Sequence, residues 1–287
     1  GDFAIAIYDT ELKRLFLARD RLGVKQIVYH YKNDILRFSS EAKSFLEYSD
    51  IKLSPNMDRL MADLMMSFWA DKGDTYFNDV HHVLPGHYLE LGDDGLKEIQ
   101  YWDLDDVPNR HEYAGLTDNE MINCLDNLLS QSTHDRLIGE AKLGTLLSGG
   151  LDSSILTAII AKSDPNKKVQ AYTILYDEGE ENRDYQHAMT VVEQYPNIDH
   201  KANNVRQNDM SIENLDLITY HMEEVIWDKV YWSMFTNYKN AAHDGLRVII
   251  NGQGSDEVWL GYYHDFPHYK FDEDGLSISN LTNHFIE

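Results

Sequence analysis

The chain has 287 residues, 43% of them hydrophobic, and its 49 acidic against 25 basic side chains give a formal net charge of −24. That length allows two packed domains, and the acidic excess, with no Lys/Arg stripe to offset it, opposes binding to nucleic acid. A single cysteine excludes a disulfide framework within the chain and suits a reducing cytoplasm, while no apolar run approaches the ~18 residues of a membrane span.

In chain order, residues 3–8, 14–18, 26–31, 35–39 and 86–91 are apolar and aromatic runs separated by turns, which predicts strands, with helices near 41–48 and 57–70. Residues 105–115, polar and containing Pro108, form the best linker, dividing the chain into 1–108 and 109–287. Beyond it, Ile122, Leu125, Leu128 and Leu129 surround Cys124 at helical spacing, which predicts a buried structural thiol. Strands near 143–147, 169–175 and 247–250 then alternate with helical patterns, and such alternation argues for a parallel sheet with helices on its faces.

The strand ending at Leu147 runs into Ser148-Gly149-Gly150-Leu151-Asp152-Ser153-Ser154, followed by Ile155, Leu156, Ile159 and Ile160 at helical spacing. Adjacent glycines let backbone N–H groups face an anion, the serines add hydroxyl donors, and a helix N-terminus favours negative charge. Asp152 beside such a cradle suits Mg2+. No Gly-Lys-Ser/Thr follows, which excludes a γ-phosphate-transferring P-loop. Taken alone, the stretch also fits an ordinary strand-to-helix turn capped by Asp152 or Ser153. A second strand, Val248-Ile249-Ile250, leads into Asn251-Gly252-Gln253-Gly254-Ser255-Asp256-Glu257, and two such loops at the carboxyl ends of parallel strands would converge on one crevice.

Together these loops resemble the pyrophosphate loop and the Gly-Gln/Glu-Gly-Ser/Ala-Asp-Glu loop of the asparagine synthetase family, glutamine-dependent amide-forming enzymes. The segments Ala18-Arg19-Asp20-Arg21-Leu22-Gly23-Val24-Lys25, Phe38-Ser39-Ser40-Glu41-Ala42-Lys43, Leu84-Pro85-Gly86-His87-Tyr88 and Tyr101-Trp102 resemble the second half of that family's glutaminase domain and its exit. The resemblance implies a fold of mixed α/β and α+β class. The β-rich C-terminal half of an Ntn-type glutaminase would precede a parallel-sheet PP-loop (adenine nucleotide α-hydrolase-like) synthetase domain. The family's N-terminal Cys nucleophile and its C-terminal helical region have no counterpart here, so the chain reads as an internal portion of a longer enzyme.

The resemblance also assigns roles. ATP and its pyrophosphate would be held by Leu147, Ser148, Gly149, Gly150, Asp152, Ser153, Ser154, Ile174, Asn251 and Gly252, with Ile174 at the purine; Mg2+ would be held by Asp152 and Asp256. Gln253 would position the adenylate and Glu257 would face the amino-acid substrate or ammonia. Gln253 stands where many relatives carry Glu, and Leu260 where Gly is common. The implied reaction activates an aspartate-like carboxylate as acyl-AMP, followed by aminolysis with ammonia. The alternatives are a β-lactam synthetase or peptide cyclase using an internal amine, and a nucleotide-binding or assembly protein without turnover. The remaining polar groups read as structural. Asp177, Glu178, Glu180, Glu181 and Asp184 form a solvated acidic loop, and Glu223, Glu224 and Asp228 end a helix near the family's acidic segment, with Val225 in place of its Pro. His264 and His268 flank Pro267 in a loop, and Asn280-Leu281-Thr282 is a sequon without meaning in the cytoplasm. The implied partners are small molecules, with a homo-oligomer open.

Overall fold

The computed structural model describes residues 1–66, 73–106, 113–176, 182–206, 211–226, 229–259, 261, 270–272 and 275–277. The chain divides into two compact units, Gly1–Gly115 with Met210–Asp228, and Leu116–Asp209 with Lys229–Glu287.

The first unit contains strands β1 (Ala4–Asp9), β2 (Arg14–Arg19), β3 (Val28–Lys32), β4 (Ile35–Ser39), β5 (His81–His82), β6 (His87–Gly92) and β7 (Gly95–Gln100), with helix α1 (Met57–Met66) between β4 and β5. They form two antiparallel sheets of order β1-β2-β6-β7 and β4-β3-β5. Alternation puts Leu17 of β2 directly opposite Leu89 of β6, and both pack with Ile27 and Val83. A second cluster joins Val28 of β3 to Ala42, Phe45 and Val80. Residues 42–47, which read as a helix from sequence, are a 3-10 turn. The predicted helix 57–70 is α1 as far as Met66, and residues 67–70 lie outside the described residues.

Asp20 organises the segment after β2. Its carboxylate accepts backbone N–H bonds from Phe3, Leu22, Val24 and Lys25 at 2.8–3.3 Å. Burial pushes its carboxyl up, but these four donors outweigh burial and hold it below the ordinary carboxylate range.

In the second unit α2 (Asp118–Arg136) precedes β8 (Leu143–Leu146), α3 (Leu151–Ser163), β9 (Val169–Leu175), α4 (Arg183–Gln194) and β10 (Ile198–Asn204). The chain then contributes α5 (Ile212–Met222) to the first unit, and returns through α6 (Lys229–His243), β11 (Val248–Ile250) and α7 (Ser255–Trp259). The sheet is parallel throughout, in the order β10-β9-β8-β11. Successive residues of β9 face opposite sides: Ala171 packs with Leu147, Ile160, Ala161 and Ala188 beneath α3 and α4, whereas Tyr172 packs with Ala241 and Leu246 beneath α6. Leu147 is fully buried, which contributes on the order of 1.5–3 kcal/mol.

One expectation is corrected and one strand is added. Cys124 is half-buried rather than buried. Thr117 and Glu120 form a reciprocal cap at the start of α2, but only Thr133 is buried along the helix, and Met121, Ile122 and Leu128 stay exposed. Of the apolar residues around Cys124, Leu125 and Leu129 are half-buried while Ile122 and Leu128 are exposed, so the spacing marks no fully buried face. The strand β10 was missed because it is an edge strand, whose sequence Ile-Asp-His-Lys-Ala-Asn-Asn is mostly polar.

Candidate active site

The helix α3 begins at Gly150, whose backbone is extended and which makes no side-chain cap bond. Asp152 and Ser153 therefore lie inside the first turn, and the ordinary capped-turn reading fails. The hydroxyls of Ser148 and Ser153 are 2.9 Å apart; Ser153 also receives the Ser148 N–H at 3.2 Å and donates to the Gly150 carbonyl at 3.1 Å. Ser148 Oγ accepts the Gly150 N–H at 3.3 Å. These bonds close the turn on itself and fix its donors.

Gly149 sits at φ +91°, and a Cβ there would lie 1.9 Å from the backbone oxygen of Asp184. Only glycine meets both demands. The loop is thus pressed against the start of α4, where Asn182 Oδ1 accepts the Asp184 and Tyr185 N–H groups.

The second loop reaches the first. A Cβ on Gly252 would lie 3.0 Å from Asp152 Cβ and 3.2 Å from Ser153 N, so Gly252 lies directly over the first turn of α3. Asn251 Oδ1 accepts the Gln253 N–H at 3.1 Å and Asn251 Nδ2 donates to the Tyr238 hydroxyl at 3.2 Å, while Gly254 turns at φ +94°. Asp256 enters α7 at its first turn, and its carbonyl accepts the Gly261 N–H at 3.0 Å. Burial, and then repulsion from Asp256, holds the Asp152 carboxyl above the ordinary carboxylate range. The loops after β8 and β11 thus bring one carboxylate each, Asp152 in the first turn of α3 and Asp256 in the first turn of α7, to the same side of the sheet.

That pair fits a divalent cation. Among the described residues no group of three or more His, Cys, Asp or Glu could hold a metal. One or two carboxylates with remaining positions left to phosphate oxygens and water is how Mg2+ is commonly bound.

Other predicted residues take distinct places. Leu147 is buried below the loop, Ile174 is half-buried near the carboxyl end of β9, and Gln253 and Glu257 are exposed. Asp177, Glu178, Glu180, Glu181, Asp228, Leu260, His264, Pro267, His268 and residues 280–282 lie outside the described residues. Sequence reasoning missed Thr173, whose buried hydroxyl donates to the Leu147 carbonyl at 2.6 Å and lies 2.8 Å from His200 Nε2. With its proton given to Leu147, that hydroxyl accepts from His200, which requires the Nε2–H tautomer; burial lowers the pKa of this ring and keeps it neutral. A threonine inside an apolar run carries no signal of such a role.

The asparagine synthase profile matches residues 124–283, and a glutamine amidotransferase domain profile matches residues 1–102. The chain is 28% identical over 278 residues to asparagine synthetase (glutamine-hydrolyzing) 2 of Bacillus subtilis, covering 91% of this chain and 36% of that protein. It is 26% identical over 275 residues to amidase chyE of Penicillium rubens, covering 91% and 40%. It is 27% identical over 288 residues to the asparagine synthetase (glutamine-hydrolyzing) of Homo sapiens, covering 93% and 47%. The chain thus spans less than half the length of each of these relatives. The β-rich first unit and the parallel α/β second unit follow the order of the two profiles. With more than half of its residues matched by the synthase profile, the chain belongs to the asparagine synthase family.

Proposed function

We propose that the second unit is the ATP-dependent amide-forming part of an asparagine synthetase-like ligase. The observation that carries the reading is the close approach of the second glycine-punctuated loop to the first, Gly252 lying over Asp152 and Ser153, beside a turn lined with serine hydroxyls and backbone N–H groups. Ser148, Gly149, Gly150, Ser153 and Ser154 would offer hydrogen bonds to phosphate oxygens, with Ser148, Gly150 and Ser153 exchanging for them the bonds they make within the turn. Ile174, Asn251 and Gly252 border the nucleoside, whereas Leu147, fully buried with its carbonyl bonded to Thr173, supports the loop from below rather than touching the ligand as the resemblance implied. Asp152 and Asp256 would hold Mg2+, which when bound supplies positive charge to the pyrophosphate.

The carboxylate of aspartate, or of a related acid, attacks the α-phosphorus of ATP, and the bond to pyrophosphate breaks. Fixed donors in the serine turn stabilise the charge that develops on the departing group. Ammonia then adds to the acyl carbon, and AMP leaves with the carboxylate oxygen. Gln253, neutral at pH 7, can orient the adenylate but cannot accept the proton released by the amine, which directs attention to Glu257. Ammonia would come from glutamine in the complete protein. The sole cysteine, half-buried in α2 of the second unit, is not positioned at a chain terminus as an N-terminal nucleophile requires.

Among the described residues no helix is long and apolar enough to cross a membrane. Small-molecule substrates and a cytoplasmic setting belong to the same reading. Pyrophosphate release measured with ATP, Mg2+, aspartate and ammonia tests it: release that requires the carboxylate supports it, and release indifferent to every carboxylate offered refutes it.

A further inference from the structure

We infer that Arg183, the first residue of α4, is a polyphosphate-binding residue of this site, directed at the β- and γ-phosphates of ATP and at the pyrophosphate that leaves. The inference rests on the nucleotide reading of the two loops and adds a residue to it.

Four observations support it. The backbone of Asp184 abuts Gly149 so closely that a Cβ there would be 1.9 Å from its oxygen, so the first turn of α4, which carries Arg183, lies against the serine turn. The start of α4 cannot serve an anion through most of its amides. Asn182 Oδ1 accepts the N–H groups of Asp184 and Tyr185, and the Gln186 N–H bonds to the Asn182 carbonyl at 3.1 Å. What this helix start offers is a side chain.

The guanidinium of Arg183 is exposed and, among the described residues, makes no hydrogen bond or ion pair, in a chain with nearly twice as many acidic as basic groups. A cation in the first turn also opposes the helix dipole, so its position does nothing for α4 itself. Lastly, neither residues 147–154 nor residues 251–261 contain Lys or Arg, and the ionised groups of the two loops are carboxylates. A polyphosphate entering there meets neutral donors and acidic side chains. One planar guanidinium able to bind two phosphate oxygens at once supplies the missing complement.

Titration calorimetry with Mg·ATP, Mg·pyrophosphate and AMP on the wild type, Arg183→Ala and Arg183→Lys tests this. The alanine variant is expected to lose about tenfold in affinity for ATP and pyrophosphate, with AMP unchanged and lysine recovering part of the loss. An alanine variant that binds ATP as tightly as wild type, or loses ATP and AMP equally, overturns the role of Arg183 and leaves the site reading standing. A folded wild type that binds neither ATP nor pyrophosphate overturns both.

Discussion

At the scale of the residue, Asp152 and Gly149 carry the most specific claims. Asp152→Asn keeps the volume and removes a charge that Asp256 already opposes, so the fold should be retained. Pyrophosphate release should fall by at least ~100-fold, since a lost metal ligand costs several kcal/mol of transition-state stabilisation. Near-normal release from a folded variant would remove Asp152 from the metal site. Gly149→Ala is different in kind. A methyl group at φ +91° facing the Asp184 oxygen forces the loop or α4 to move, and the expected loss of stability is about 2–5 kcal/mol by denaturant unfolding. These residues were legible because glycine and acid spacing encode the turn directly. Thr173 was not, because its importance comes from a neighbouring strand and from His200, which are distant in sequence.

At the scale of the element, two polar clasps define the first unit. The Glu223 carboxylate accepts the Ala42 and Lys43 N–H groups at 2.8 and 2.7 Å, joining the end of α5 to the start of the 3-10 turn. Glu223 itself holds a left-handed conformation at φ 58°. Glu223→Ala leaves those donors without their acceptor, and a loss of about 1–3 kcal/mol is expected in thermal or denaturant unfolding. An unchanged midpoint would show that the clasp contributes nothing. Its counterpart is Asp20, whose folded-state pKa is depressed by four backbone donors. Its contribution to stability is fully present above the unfolded carboxylate pKa of about 4 and is lost as pH falls through the lower folded value. Asp20→Asn should therefore lower stability at pH 7 and flatten the acid limb of the stability curve. An acid limb identical to wild type would contradict this. Neither clasp is readable from local pattern. Glu223 looks like helix-end charge, and nothing in its neighbourhood announces that residues 210–228 join a unit built mainly from residues 1–115. By contrast the central strands β8 and β9 and the half-buried edge strand β11 were legible as apolar runs, while β10, the other edge, was hidden by its polarity.

At the scale of the whole molecule, the acidic chain carries a β-rich unit and a nucleotide-type α/β unit, and the reading places amide synthesis in the second. Cys124→Ala should leave ammonia-dependent synthesis unchanged, because the thiol sits part-way along α2 with no free amine at its own residue; loss of synthesis in a folded variant would show that the thiol takes part. The central claim is that a carboxylate oxygen attacks the α-phosphorus of ATP in the crevice between the two loops. Synthesis with aspartate labelled with heavy oxygen in its side-chain carboxylate, followed by mass analysis of the nucleotide product, tests that claim most directly. One labelled oxygen transferred to AMP is the predicted result, and unlabelled AMP, or label carried instead into inorganic phosphate, would contradict it.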